Sequence, residues 1–133
     1  MLTINNQSDY ALVLVSNLMG KDNYVSLSNL VEETNLPQRF LARIAAQLVK
    51  KEVLISREGK VGGYKLSKKF QNMSLYKFLA IFEGDLLFAK CLDENYDCRF
   101  EDICTHKGIM KNKINRILEK NLDAIKVVNL FKK

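Results

Sequence analysis

At 133 residues, 47% of them hydrophobic and 27% charged, the chain can build one compact domain with an appended element and is too apolar for global disorder. No apolar run approaches a membrane span, and residues 1–7 lack the basic start and apolar stretch of a signal peptide, so a cytoplasmic protein is expected. The net charge of +6 is unevenly spread: residues 1–70 hold ten Lys/Arg and six Asp/Glu, residues 71–106 three and seven, and residues 107–133 eight and two.

In chain order, Ser8 is suited to cap a helix that starts near Asp9 and ends at Gly20, with Leu12, Val15, Leu18 and Met19 as its apolar face. Ser26 caps a second, short helix whose Leu27, Leu30 and Val31 point inward. After the turn Thr34-Asn35-Leu36-Pro37, a third helix runs from Pro37 to Lys51. Phe40, Leu41, Ile44, Ala45 and Leu48 form its buried stripe. Its other face carries Gln38, Arg39, Ala42, Arg43, Ala46, Gln47 and Lys50, which combines small residues with donors that suit guanine and adenine edges.

Two strands, Val53–Arg57 and Tyr64–Ser67, flank the Gly-rich stretch Glu58–Gly63, and the basic residues Arg57, Lys60 and Lys65 decorate this hairpin. A hairpin directly after a helix-turn-helix is a wing, and a basic tip fits a phosphate backbone or a minor groove. Nine basic and two acidic side chains fall within residues 38–69, the sign of charge that DNA attracts. A short helix follows over Ser74–Glu83, with Leu75, Phe78, Leu79 and Phe82 inward. A long helix over Lys107–Leu122 carries Met110, Ile114, Ile117 and Leu118 as a stripe suited to a second copy, and the apolar tail Ile125–Phe131 is expected to dock. The expected architecture is mainly α with a small β-wing. Residues 1–83 form a winged helix-turn-helix, 84–106 a cysteine loop, and 107–133 a dimerisation helix and tail. Two-fold pairing matches a near-palindromic operator in double-stranded DNA.

Cys91, Cys98 and Cys104 are the chain's three cysteines, separated by six and five residues, with His106 two beyond the last. An odd number of thiols in one polar loop reads as a metal ligand set rather than a disulfide framework. The spacing is not a Cys-x-x-Cys knuckle, and thiolates suit iron–sulfur clusters and zinc alike. Three partly buried free cysteines are the plain alternative. Three ligands leave a fourth position, for which His106 and Asp9 are the candidates. With one histidine, no nucleophile–base motif and no phosphate-cradling loop, an enzyme is not expected.

Three segments, Ser8-Asp9-Tyr10-Ala11-Leu12, Gly62-Gly63-Tyr64-Lys65-Leu66 and Cys91…Cys98…Cys104-Thr105-His106, resemble the Rrf-two family of bacterial transcription regulators, which includes iron–sulfur cluster regulators and nitric-oxide-sensitive repressors. The resemblance covers nearly the whole chain. It implies a homodimer with a winged helix-turn-helix, a long dimerisation helix and an iron–sulfur cluster of the two-iron or four-iron type on the three cysteines. Cluster occupancy or damage would then change DNA affinity. The family's cluster regulators take a fourth ligand from a histidine three residues past the last cysteine; here Lys107 holds that place and His106 stands one residue early. Its nitric-oxide sensors can use an aspartate at the start of the first helix of the other subunit, a position that Asp9 matches, although Val13 stands where those proteins often have arginine. The alternatives are a structural zinc, a metal-free thiol switch, or a module whose helix-turn-helix packs on protein.

Overall fold

Capping side chains set the helix starts. In the computed structural model, which describes residues 2–131, α1 spans Asn6–Leu18 and its cap is Asn5, whose side chain accepts the Ser8 N–H at 2.8 Å. Ser8 therefore does not cap the helix as expected. It is fully buried, and its hydroxyl donates to Glu83 Oε1 at 2.8 Å. Glu83 also accepts from the Asn5 backbone N–H at 2.6 Å and from the Asn5 side-chain amide at 3.1 Å. The partner lies 75 residues away, so no local pattern announces it. A buried hydroxyl needs such a partner, and here it ties the start of α1 to the residue that opens the cysteine loop.

The second helix, α2 (Leu27–Thr34), starts as expected, with the Ser26 hydroxyl accepting the Asn29 N–H at 3.2 Å. Asn35 ends it in the left-handed conformation (φ 57°). Pro37 sits at the cap of α3 (Gln38–Lys50) rather than inside its first turn. Leu41, Ile44, Ala45 and Leu48 are buried, but Phe40 is 49% exposed and meets the Tyr10 ring edge-on at 6.5 Å. At 3.6 residues per turn Phe40 lies about 90° from the centre of the stripe formed by the other four, so it flanks the core instead of entering it.

The wing is an antiparallel pair, β1 (Leu54–Arg57) and β2 (Gly63–Leu66), in register from Leu54↔Leu66 to Arg57↔Gly63. Val25, just before α2, adds a one-residue bridge to Tyr64: each backbone N–H donates to the other's carbonyl, at 2.9 and 2.8 Å. Gly63 makes this possible. Its φ is +141°, and a Cβ there would lie 2.1 Å from the Val25 carbonyl oxygen. Gly62 is equally constrained, with a Cβ falling 2.2 Å from the Arg57 carbonyl oxygen.

A 3-10 turn that sequence reading did not anticipate, Lys68–Asn72, buries Phe70 against Phe78 before α4 (Leu75–Glu83) begins at the Ser74 cap. The core joins the inner faces of α1, α3 and α4 with Leu30, Val53, Leu54 and Phe70. The tail docks as expected. Val127 and Val128 are buried, Leu75 N–H donates to Ile125 O at 2.7 Å, and Val127 N–H to Met73 O at 3.0 Å. Before it, residues 107–123 are helical throughout, in three stretches: Lys107–Ile109, a π-helical segment Met110–Ile114, and Asn115–Asp123. No residue of this C-terminal helix is buried; Ile109 and Ile117 are 58% and 57% exposed. Among the described residues no helix is long and apolar enough to cross a membrane.

Candidate DNA interface and cysteine loop

On α3 the residues Gln38, Arg39, Arg43, Gln47 and Lys50 are all exposed; Arg39, Arg43 and Lys50 lie opposite Leu41, Ile44 and Leu48, with Gln47 and Gln38 toward the two flanks. Among the described residues, none of the three cations here has an ion-pair partner, whereas Lys21 pairs with Glu33 at 2.7 Å and Lys69 pairs with Glu52. Lys69 also holds the Glu52 carboxyl below its usual pKa, chiefly through their hydrogen bond. The face of α3 thus keeps its donors uncommitted. Ala42 and Ala46 between them leave room for close approach to a flat surface.

The wing cations differ in their commitments. Arg57 donates to the Val61 carbonyl at 2.9 Å, and its guanidinium carbon lies 4.4 Å from the centre of the Tyr24 ring. Lys60 is exposed at the tip beside Val61, which is 75% exposed. Tyr24 was missed by sequence reading. The only signal for it was an aromatic next to the β-branched Val25, two residues before a helix cap.

The three cysteines are free and partly buried, and they share the segment 84–106. From 93 to 106 every residue is exposed except Cys98 and Cys104. The backbone hydrogen bonds donated from Leu92 to Ile103 reach only three residues back, as in Tyr96 N–H to Asp93 O and Glu101 N–H to Cys98 O. Two ties hold the segment to the C-terminal helix: Phe88 N–H donates to Asn115 Oδ1 at 2.8 Å, just past the π-helical segment, and Lys107 pairs with Glu101 at 2.9 Å. The hydrogen bond that Lys107 donates to Glu101 raises the Lys107 pKa, burial opposes it, and the charges of Glu101, Cys91 and Cys98 add to the rise. Among the described residues no three Cys, His, Asp or Glu side chains stand together as a closed metal site. The donor chemistry nevertheless fits a soft metal or cluster: three partly buried thiols lie on a stretch held mainly by local turns, which can rearrange to draw them together. His106 Nδ1 lies 3.7 Å from Cys104 Sγ, and Asp9 is exposed in the first turn of α1.

A helix-turn-helix with an open polar face, followed at once by a two-stranded basic wing, defines a winged helix-turn-helix regulator. The Rrf2 (Rrf-two) family, described as iron-dependent transcriptional regulators, matches residues 4–133, and the chain belongs to it. Its members act on DNA as transcription regulators and are not enzymes. The chain is 23% identical over 112 residues to the HTH-type transcriptional regulator NsrR of Oceanobacillus iheyensis, covering 82% of this chain and 76% of that protein. Two solved structures share its fold. One is oxidised CymR of Staphylococcus aureus, with a TM-score of 0.74, 19% identity and coverage of 99% of this chain and 98% of that one. The other is T. potens IscR, with a TM-score of 0.65, 21% identity and coverage of 97% and 85%.

Proposed function

We propose that the chain is a homodimeric cytoplasmic regulator whose affinity for a near-palindromic operator is set by an iron–sulfur cluster on Cys91, Cys98 and Cys104. The observation that carries this reading is the partial burial of Cys98 and Cys104 within a stretch that is otherwise exposed from 93 to 106. The family's description as iron-dependent supports it. A bound cluster supplies a centre sensitive to oxidants and nitric oxide. The fourth ligand is Asp9 of the second subunit or His106.

In this reading α3 enters the major groove. Arg39 and Arg43 are matched to guanine, Gln38 and Gln47 to adenine, and Lys50 to phosphate. Arg57 and Lys60 present the wing to the flanking backbone. The cysteine loop joins Glu83, which is bonded to the start of α1, to the C-terminal helix, which it touches through Asn115 and Lys107. A change in loop order would therefore pull on both ends of that link. Two copies paired along residues 107–123 would change the spacing of their α3 helices in response.

Protein purified without oxygen is expected to be brown, with thiolate-to-iron charge-transfer absorption that Cys98→Ala abolishes. Colourless protein that holds one zinc per chain after anaerobic reconstitution would replace the cluster with a structural zinc. For the reading helix, Arg43→Ala is expected to cost about 1–3 kcal/mol on a selected operator beyond its cost on random duplex. Equal losses on both would make Arg43 a phosphate contact.

One observation favours a second reading, a metal-free thiol switch. An imidazole nitrogen within hydrogen-bonding reach of a thiol is the usual setting of a reactive cysteine, and His106 stands so to Cys104. The similarity to an oxidised CymR structure agrees with it. Colourless, zinc-free protein that loses DNA affinity on mild peroxide treatment and regains it with a thiol reductant would favour this reading over the cluster.

A further inference from the structure

Between the segment before α2 and the wing lies a polar cleft of about 580 Å³, lined by Asp22, Tyr24, Ser26, Arg57, Lys60 and Lys65 among others. Its lining holds three cations and one carboxylate. Tyr24 is the aromatic of the lining, with the Arg57 guanidinium carbon 4.4 Å and the Lys65 ammonium 5.9 Å from the ring centre. Tyr24 is fixed in place, because the neighbouring residue Val25 is hydrogen-bonded both ways to Tyr64. The aromatic face thus holds cations together that would otherwise repel each other. Arg57 has spent one donor on the Val61 carbonyl, which ties the base of the wing to its tip. Lys60 and Lys65 have no ion-pair partner among the described residues.

From this we infer that the cleft is a seat for one phosphodiester of the DNA backbone, with Lys60 and Lys65 as its cations and Tyr24 as the positioning residue that holds Lys65 beside Arg57. The inference rests on the DNA-binding reading and deepens it: the wing holds the backbone through this cleft rather than probing the minor groove with its tip. Arg57 acts as a brace for the wing. A site built this way has two consequences. Both lysines serve the same phosphate, so removing both releases about one counterion's worth of salt dependence rather than two. Its contribution is also blind to sequence.

The test measures binding of the full chain to operator and to random duplex across a salt series. Lys60→Gln with Lys65→Gln is expected to weaken both complexes by a similar factor, about 10-fold, and to reduce the slope of log affinity against log salt by about one. Tyr24→Phe keeps the aromatic face and is expected to bind as the unsubstituted chain does; Tyr24→Leu, which frees Lys65, is expected to weaken both complexes equally but by less than the double lysine variant, with the wing still folded by its amide resonances. An unchanged slope in the double variant, or a loss confined to one duplex, would overturn the proposal while leaving DNA binding intact. If the unsubstituted chain binds no duplex at all, the DNA reading fails and the cleft assignment falls with it. Inorganic phosphate alone is expected to bind weakly and to be displaced by duplex. Tight phosphate binding that duplex leaves in place would make the cleft a free-anion site instead, and would equally overturn the assignment.

Discussion

Gly63→Ala is expected to unseat the wing, lower stability by about 2–6 kcal/mol and weaken binding to any duplex. Two costs add. At φ +141° an alanine is strained wherever it stands, which costs about 1–3 kcal/mol. Its Cβ would also fall 2.1 Å from the Val25 carbonyl oxygen, a backbone atom that cannot rotate away. The chain can relieve that contact only by parting Val25 from Tyr64, which breaks two hydrogen bonds worth about 0.5–1.5 kcal/mol each. Tyr24 then loses its place under Arg57 and Lys65. Gly20→Ala is the control: its φ is +77°, but nothing lies within 4 Å of its Cβ position, so strain is paid without collision. Urea denaturation and duplex binding check both variants. A Gly63→Ala chain as stable as Gly20→Ala would mean that the wing tolerates separation from Val25.

The contrast between these glycines also marks how far sequence reading reaches here. Features governed by neighbours along the chain were legible: the cap at Ser26, the stripe of Leu41, Ile44 and Leu48, the hairpin around residues 58–63, and the docked tail. Features governed by partners distant in sequence were not. Ser8 looks like a cap because its local pattern is a cap's, yet Asn5 takes that role once Glu83 supplies a buried acceptor. Phe40 reads as core because it is large and apolar, but four smaller residues already fill the arc. Phe70 looks like part of a basic linker until a 3-10 turn folds it onto Phe78. Within the candidate site, the open face of α3 could be read from periodicity alone. The Tyr24 shelf could not, because it needs a backbone bridge between residues 25 and 64. The cysteine trio was visible as composition, and the partial burial of Cys98 and Cys104 within an exposed loop appears only in three dimensions.

In the homodimer proposed above, Ile117→Lys is expected to abolish pairing and to weaken binding to a two-half-site operator by about 100- to 10,000-fold, the effective-concentration advantage of joining two reading helices. The C-terminal helix buries none of its residues within its own chain, and Ile109 and Ile117 stand 58% and 57% exposed two turns apart. One side of this helix meets α4 and its Leu122 packs on the core, so Ile109 and Ile117 mark a further apolar side left open, which a second copy would cover. Lysine at 117 keeps helix propensity. It disturbs little of the chain's own packing, because most of the side chain faces outward. In a two-fold contact, however, it buries a charge among apolar groups, next to Lys113, Arg116 and Lys120, where burial and like-charge repulsion act together. Sedimentation gives the oligomeric state. A duplex carrying one half-site separates loss of pairing from loss of reading, since the variant should bind it as tightly as the unsubstituted chain does. A variant that stays dimeric and keeps full operator affinity would move the interface off this face, and the link from cysteine loop to helix spacing would need another route.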